Sequence, residues 1–170
     1  MEKHIVLITG GQRSGKSGYA QQRALSLSDR PVYLATSRVW DEEHRQRIAR
    51  HRADRGPEWT NLEEEKLLSR HNLADRVVVV DCLTLWCTNF FFDNDGNVET
   101  SLAQLRDEFD RFTRQKAYFL LVTNEIGSGG VSENALQRKF TDLQGWFNQF
   151  VAAAANEVVW MVSGIPVKIK

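Results

Sequence analysis

Ile5-Val6-Leu7-Ile8-Thr9 runs directly into Gly10-Gly11-Gln12-Arg13-Ser14-Gly15-Lys16-Ser17, and this passage decides the fold class of the 170-residue chain. The first five residues read as a strand buried on both faces. The next eight fit GxxxxGK[ST], and Tyr19 to Leu27 continues as a helix, so the motif stands between a strand and a helix as its chemistry requires. Gly10, Gly11 and Gly15 let the backbone curl, with Gln12, Arg13 and Ser14 between them, until N–H groups and the helix N-terminus converge on an anion. Lys16 adds charge, and the Ser17 hydroxyl is suited to ligating Mg²⁺. The expected ligand is a nucleoside triphosphate. A glycine-rich turn without a ligand is the bland alternative, disfavoured by the strand in front.

Four more apolar runs repeat the pattern of the first: Val32 to Ala35, Val77 to Val80, Tyr118 to Thr123 and Val158 to Val162. Between them, Leu102, Leu105, Phe109 and Phe112 recur at helical spacing, as do Leu136, Phe140, Leu143, Phe147 and Phe150. Strands alternating with helices predict an α/β fold with a mostly parallel sheet, helices on both faces and ligands at the carboxyl ends of the strands. No repeat, low-complexity tract or linker divides the chain, and Pro31, Pro57 and Pro166 read as lying between elements, so residues 1–170 are expected to form one nucleotide-binding domain.

With 22 Lys plus Arg against 22 Asp plus Glu, bulk charge points to no nucleic-acid partner. No apolar stretch is long enough to span a bilayer and no cleavable signal opens the chain, so the expectation is a soluble, cytoplasmic protein. Cys82 and Cys87 are too few for a disulfide scaffold and lack the partners of a zinc site. Both are expected to be reduced and partly buried.

Val77 to Val80 ends in Asp81, the pattern that brings a carboxylate from a strand tip to the metal beside the β and γ phosphates. A turn or cap role for Asp81 is the competing reading. Asp41 to Arg55 starts acidic and ends basic, as a solvated surface helix does. Within it, Arg47, His51 and Arg55 are four apart and share a face, with Arg50 and Arg52 beside it. Cations around an imidazole disfavour its protonated form, so His51 is expected to be a neutral nucleophile while the guanidiniums clamp phosphate oxygens. A zinc pair of His44 and His51 or a nucleic-acid-binding helix are weaker readings of the same residues.

Several separated motifs together resemble the bifunctional adenosylcobinamide kinase and adenosylcobinamide-phosphate guanylyltransferase family. They are Thr9 to Ser17, Tyr33 to Ser37, Arg47 to Arg52, Trp59 with Glu63, Asp81 to Trp86 with Thr88-Asn89, Val122 to Gly127, Asn148-Gln149 and Val162 to Pro166. The resemblance implies a P-loop NTPase (RecA-like) fold and two reactions. ATP or GTP phosphorylates the aminopropanol hydroxyl of adenosylcobinamide; GTP then gives GMP to a histidine, and the new phosphate displaces it to yield adenosylcobinamide-GDP, the first half releasing pyrophosphate. It also implies that His51 accepts GMP and Lys16 acts with the phosphate loop. Gly10 to Ser17, Ala35, Thr36, Ser37, Arg52, Ala53, Asp54, Arg55, Glu63 and Asp81 would bind nucleotide, and Ser17 and Asp81 the Mg²⁺. It further implies a homotrimer.

A phosphoramidate on imidazole divides a transfer between two anions into two steps. His51 must then approach the α phosphate, which calls for a hinge in Ser37 to Asp41. Ser132 replaces the proline more usual in the family and is expected to cap the next helix. Trp59 reads equally as a packing residue. Two other classes stay open: a monofunctional small-molecule kinase with the His51 helix as a lid, and a non-catalytic GTP-dependent switch.

Overall fold

The computed structural model describes residues 1–38 and 55–170. The expected helix from Asp41 to Arg55, including His51 and all but its last residue, and most of the expected hinge lie outside the described residues. The chain begins with β1 (His4–Gly10), α1 (Lys16–Leu27) and β2 (Val32–Ala35), and resumes at β3 (Thr60–Glu63). After a 3₁₀ turn at Leu68–Arg70 come β4 (Val77–Asp81), α2 (Leu83–Asp93), α3 (Val98–Phe112) and β5 (Tyr118–Val122), then α4 (Ala135–Ala154), β6 (Glu157–Val162) and β7 (Ile165–Lys168).

Seven strands form one sheet in the order β3-β2-β4-β5-β1-β6-β7. All pairs are parallel except β6 with β7. β1 lies inside the sheet between β5 and β6, and the chain leaves it toward β2 on one side and returns from β5 to β6 on the other. That reversal opens a crevice at the carboxyl ends, where the phosphate-loop sequence sits. The five expected strands all form. Their continuous hydrophobicity follows from burial on both sides: Val6 and Ile8 pack with Ala20 and Ala24 of α1, while Ile5 and Leu7 pack beneath α2, α3 and α4. Phe147 of α4 is fully buried between the rings of Trp86 and Phe109, so its truncation to alanine costs about 3–5 kcal/mol.

The structure adds to and corrects the sequence reading. β3 escapes it because Thr-Asn-Leu-Glu is short and polar, as an edge strand tolerates. Pro166 lies inside β7 rather than between elements; its missing N–H is harmless on the outer strand. Helix α2 was expected only as part of a motif, since its Leu, Trp and Phe residues cover most of its circumference. Leu136, assigned to a core stripe, is 46% exposed at the start of α4. Ser132 does not cap that helix: Asn134 does, accepting from the Gln137 N–H at 3.1 Å. Both cysteines are fully interior and unpaired.

Candidate functional site

The phosphate loop fills the turn between β1 and α1 as the glycines dictate. Gly10 has φ +156°, and a Cβ there would meet the Met161 carbonyl oxygen at 2.6 Å and Ser14 Oγ at 2.7 Å. Gly15 precedes α1 at φ +93°, with Gly164 Cα 3.2 Å from where its Cβ would lie. The tip of the β6–β7 hairpin presses against the loop, and Gly164 N–H donates to the Ser14 carbonyl at 3.0 Å. Lys16 is buried under the loop, its ammonium donating to the Gly11 carbonyl at 2.5 Å and to Ser14 Oγ at 3.4 Å. Burial lowers its pKa from the ordinary lysine value, and the Cys82 and Asp81 groups offset this in part. A cation held with so few partners is matched by an anion arriving in the loop.

Strand register gathers the expected nucleotide residues. Glu63, Ala35, Asp81, Val122 and Ile8 form one row across the sheet, two residues before the loop begins. Asp81 therefore reaches the crevice from two strands away, with β5 between β4 and β1, and its charge is felt at Lys16. Asp81 Oδ2 accepts from the Tyr33 hydroxyl at 2.7 Å. Burial, then the Asp81 charge, pushes the Tyr33 phenol far above its usual range, so it stays a donor. The Arg55 guanidinium lies over the Tyr33 ring at 3.7 Å, and its Nε donates to Asn61 Oδ1 at 2.7 Å. Trp59 packs edge-on against the same ring, in the packing role foreseen for it.

The loops after β2 and β4 are locked together. Thr36 Oγ1 donates to the Cys82 carbonyl at 2.7 Å and accepts from the Cys82 N–H at 3.0 Å. Thr36 N–H donates to the Asp81 carbonyl at 3.3 Å, and Asn89 Nδ2 donates to the Thr36 carbonyl at 2.8 Å. Arg38 pairs with Glu65 at 2.7 Å and with Asp93 at 2.8 Å; Arg38 and Lys66 hold the Asp93 carboxyl far below its usual range. Arg38 and Arg55 thus fix the chain on either side of residues 39–54.

A second lock joins the exits of β4 and β5. Gln144 Nε2 donates to Thr84 Oγ1 at 2.6 Å and to the Asn124 carbonyl at 2.9 Å, while Thr84 Oγ1 accepts from the Asn124 N–H at 2.9 Å. Thr123 Oγ1 donates to Asn148 Oδ1 at 2.8 Å.

Two oxygen donors are left open for a cation. Ser17 Oγ and Asp81 Oδ1 carry no hydrogen bond among the described residues, and no cluster of three or more His, Cys, Asp or Glu side chains gathers there. That donor set fits Mg²⁺, which is commonly held by one carboxylate together with substrate phosphates.

Residues 6–169 match the family described as CobU, cobinamide kinase / cobinamide phosphate guanyltransferase. The chain belongs to this family. It is 39% identical to the bifunctional adenosylcobalamin biosynthesis protein CobU of Escherichia coli strain K12, over 98% of this chain and 99% of that one. It is 37% identical to the bifunctional adenosylcobalamin biosynthesis protein CobP of Pseudomonas aeruginosa, covering 96% of each. Among solved structures it is similar to the flagellar accessory protein FlaH from Methanocaldococcus jannaschii, with a TM-score of 0.48, 13% identity and coverage of 99% of this chain and 79% of that one.

In this cobinamide kinase / guanyltransferase chain, the described structure brings together the residues from Gly10 to Ser17 with Ala35, Thr36, Asp81 and, through Tyr33, Arg55. Ser37 follows Thr36, and Glu63 ends the row on β3. His51, Arg52, Ala53 and Asp54 lie outside the described residues. Sequence reasoning gave no role to Tyr33, Asn89, Gln144 or Asn148. One signal was available for the last pair: Gln144 and Asn148 are four apart beside Leu143 and Phe147, polar groups on a buried helix face that must find partners.

Proposed function

We propose that this chain carries out both reactions of its family: phosphorylation of the aminopropanol hydroxyl of adenosylcobinamide from ATP or GTP, then GMP transfer from GTP to give adenosylcobinamide-GDP. The observation that carries the reading is the phosphate loop, with buried Lys16 inside it and Asp81 at the neighbouring strand tip, in a chain that matches the family from residue 6 to 169. Backbone N–H groups of residues 10–17 and Lys16 cradle the β and γ phosphates, and the loop's fixed dipoles need no reorganisation as charge shifts toward the leaving group. Ser17 and Asp81 would hold Mg²⁺, which supplies charge neutralisation between phosphates. Tyr33 donates to one Asp81 oxygen, so the other would be available to the metal.

For the second reaction, His51 attacks the α phosphorus of GTP. A P–N bond forms, the bond to pyrophosphate breaks, and the phosphate of adenosylcobinamide phosphate then displaces the histidine. Arg52 and Arg55 offset the repulsion between the anions, and Ala35 to Ser37, Ala53, Asp54 and Glu63 line the nucleotide. The His51 segment must approach the α phosphate. The proposal includes a cytoplasmic enzyme with no nucleic-acid partner, and a homotrimer. The balanced charge supports the lack of a nucleic-acid partner, and the exposed apolar side chains Trp160, Val162, Ile165 and Val167 at the β6–β7 edge support assembly.

The test is incubation with Mg²⁺ and GTP labelled on the α phosphate, denaturation, and measurement of acid-labile, base-stable label on the parent and on His51→Asn. Label on the parent alone is expected. No label on either, with GTP still bound, would eliminate the guanylyltransferase half.

A further inference from the structure

The segment Thr123-Asn124-Glu125-Ile126-Gly127 belongs to one of the motifs that carry the resemblance, yet neither reaction above assigns it a task. β5 lies between β1 and β4, and its exit runs beside the phosphate loop. Thr123 N–H donates to the Ile8 carbonyl at 3.0 Å, and Glu125 N–H donates to the Gly10 carbonyl at 2.9 Å. Gln144, Asn148 and Thr84 fix the two residues before Glu125. A loop clamped on both sides positions whatever its next side chain carries.

That side chain is an exposed carboxylate. Glu125 Oε1 accepts from the Gly127 N–H at 2.7 Å, and its other oxygen has no partner among the described residues. Gly127 in turn borders an open cavity of about 600 Å³, walled by Gly130, Arg138, Lys139, Thr141 and Asp142. Two carboxylates of the strand row at this end of the sheet, Asp81 and Glu63, are placed differently. Asp81 is bound to Tyr33 and suited to the metal, and Glu63 lies on the far edge strand. Glu125 lies in the loop that follows β5, with its N–H on the Gly10 carbonyl at the start of the phosphate loop.

We propose that Glu125 is the general base for the phosphoryl acceptor, and that the alcohol-bearing arm of the acceptor enters through the Gly127–Asp142 cavity. The inference rests on the kinase half of the function proposed above. Phosphoryl transfer leaves a protein little covalent work beyond positioning and removal of the attacking hydroxyl's proton. The acceptor oxygen bonds to the γ phosphorus as the bond from that phosphorus to the β,γ-bridging oxygen breaks. The hydroxyl proton passes to Glu125, the nucleoside diphosphate leaves with the electron pair, and Glu125 later returns the proton to solvent.

Glu125→Gln tests this cleanly, because the carboxamide oxygen still accepts from the Gly127 N–H while the basic site is gone. Phosphorylation of adenosylcobinamide by Mg²⁺-ATP should fall by about 10²–10⁴-fold. ATP affinity and GMP labelling from GTP should match the parent, and Glu125→Asp should recover part of the turnover. Turnover by E125Q within about threefold of an active parent would overturn the assignment, since a general base contributes far more. Parallel loss of ATP binding and labelling would also overturn it, by showing a structural role. A parent that transfers no phosphoryl group to adenosylcobinamide would instead sink the kinase reading itself.

Discussion

Thr36→Val removes one hydroxyl from the seam between the β2 and β4 exits and leaves the shape of the side chain almost unchanged. Thr36 is fully buried, and both of its side-chain bonds to Cys82 are interior. The Cys82 carbonyl keeps a second donor, the Trp86 N–H at 3.1 Å, but the Cys82 N–H has no other acceptor among the described residues. An orphaned buried N–H costs about 1–3 kcal/mol, and the lost O–H···O bond adds about 1 kcal/mol. The expected destabilisation is therefore about 2–4 kcal/mol, which for a chain of this size lowers Tm by about 4–16 °C. Urea denaturation should show a lower midpoint with an unchanged slope, and Thr36→Ser should recover most of the loss. Binding of a non-hydrolysable triphosphate should weaken in parallel, because the same bonds fix the Asp81 tip. A T36V protein within about 1 kcal/mol of the parent would refute the reasoning, since it would mean that the Cys82 N–H finds another partner.

Three further outcomes follow from the geometry. Lys16 has a lowered folded-state pKa, so between that value and its ordinary 10.5 the unfolded chain binds more protons. Nucleotide-free stability should gain a Lys16 contribution as pH rises through this window, and the parent-minus-Lys16→Met difference in urea midpoint should report it; a pH-independent difference would contradict the burial. Gly10→Ala should abolish triphosphate binding, because its Cβ would strike the Met161 carbonyl, whereas Gly164→Ala, at φ +83° in open space, should cost only about 1 kcal/mol of strain; calorimetric titration distinguishes them. Burial pushes the Cys82 thiol up to about 11 and the Cys87 thiol well above its usual range, so neither should react with a thiol reagent near neutral pH until denaturant is added.

What the sequence made legible was what local rules control. Val77 to Val80 could be read as a buried strand, and the glycines and Lys16 as an anion loop, because continuous apolar runs and fixed motif spacing carry their own physics. Asp81 could be nominated but not located: only the register Asp81–Val122–Ile8 places it level with β1 across an intervening strand. Tyr33 looked like one more aromatic in an apolar run, and its hydroxyl gained meaning only once β2 lay beside β4. Gln144 and Asn148 likewise act on loops more than a dozen residues away in sequence, through contacts that no periodicity encodes. Pro166 misled because a proline reads as a break unless the strand is known to be outermost.

The hairpin tip resting on the phosphate loop has a consequence for the newly made protein. Residues 10–17 leave the ribosome well before β6 and β7, yet the Ser14 carbonyl finds its donor at Gly164, and Gly10 is enclosed by Met161. At translation rates of about 5–20 residues per second, on the order of ten seconds separates synthesis of the loop from arrival of the strands that shape it. During that interval a nascent chain has the motif without its final form. Nucleotide capture by ribosome-bound chains of increasing length would then switch on only after β6 and β7 have emerged, so that the earliest signature in the sequence becomes competent last.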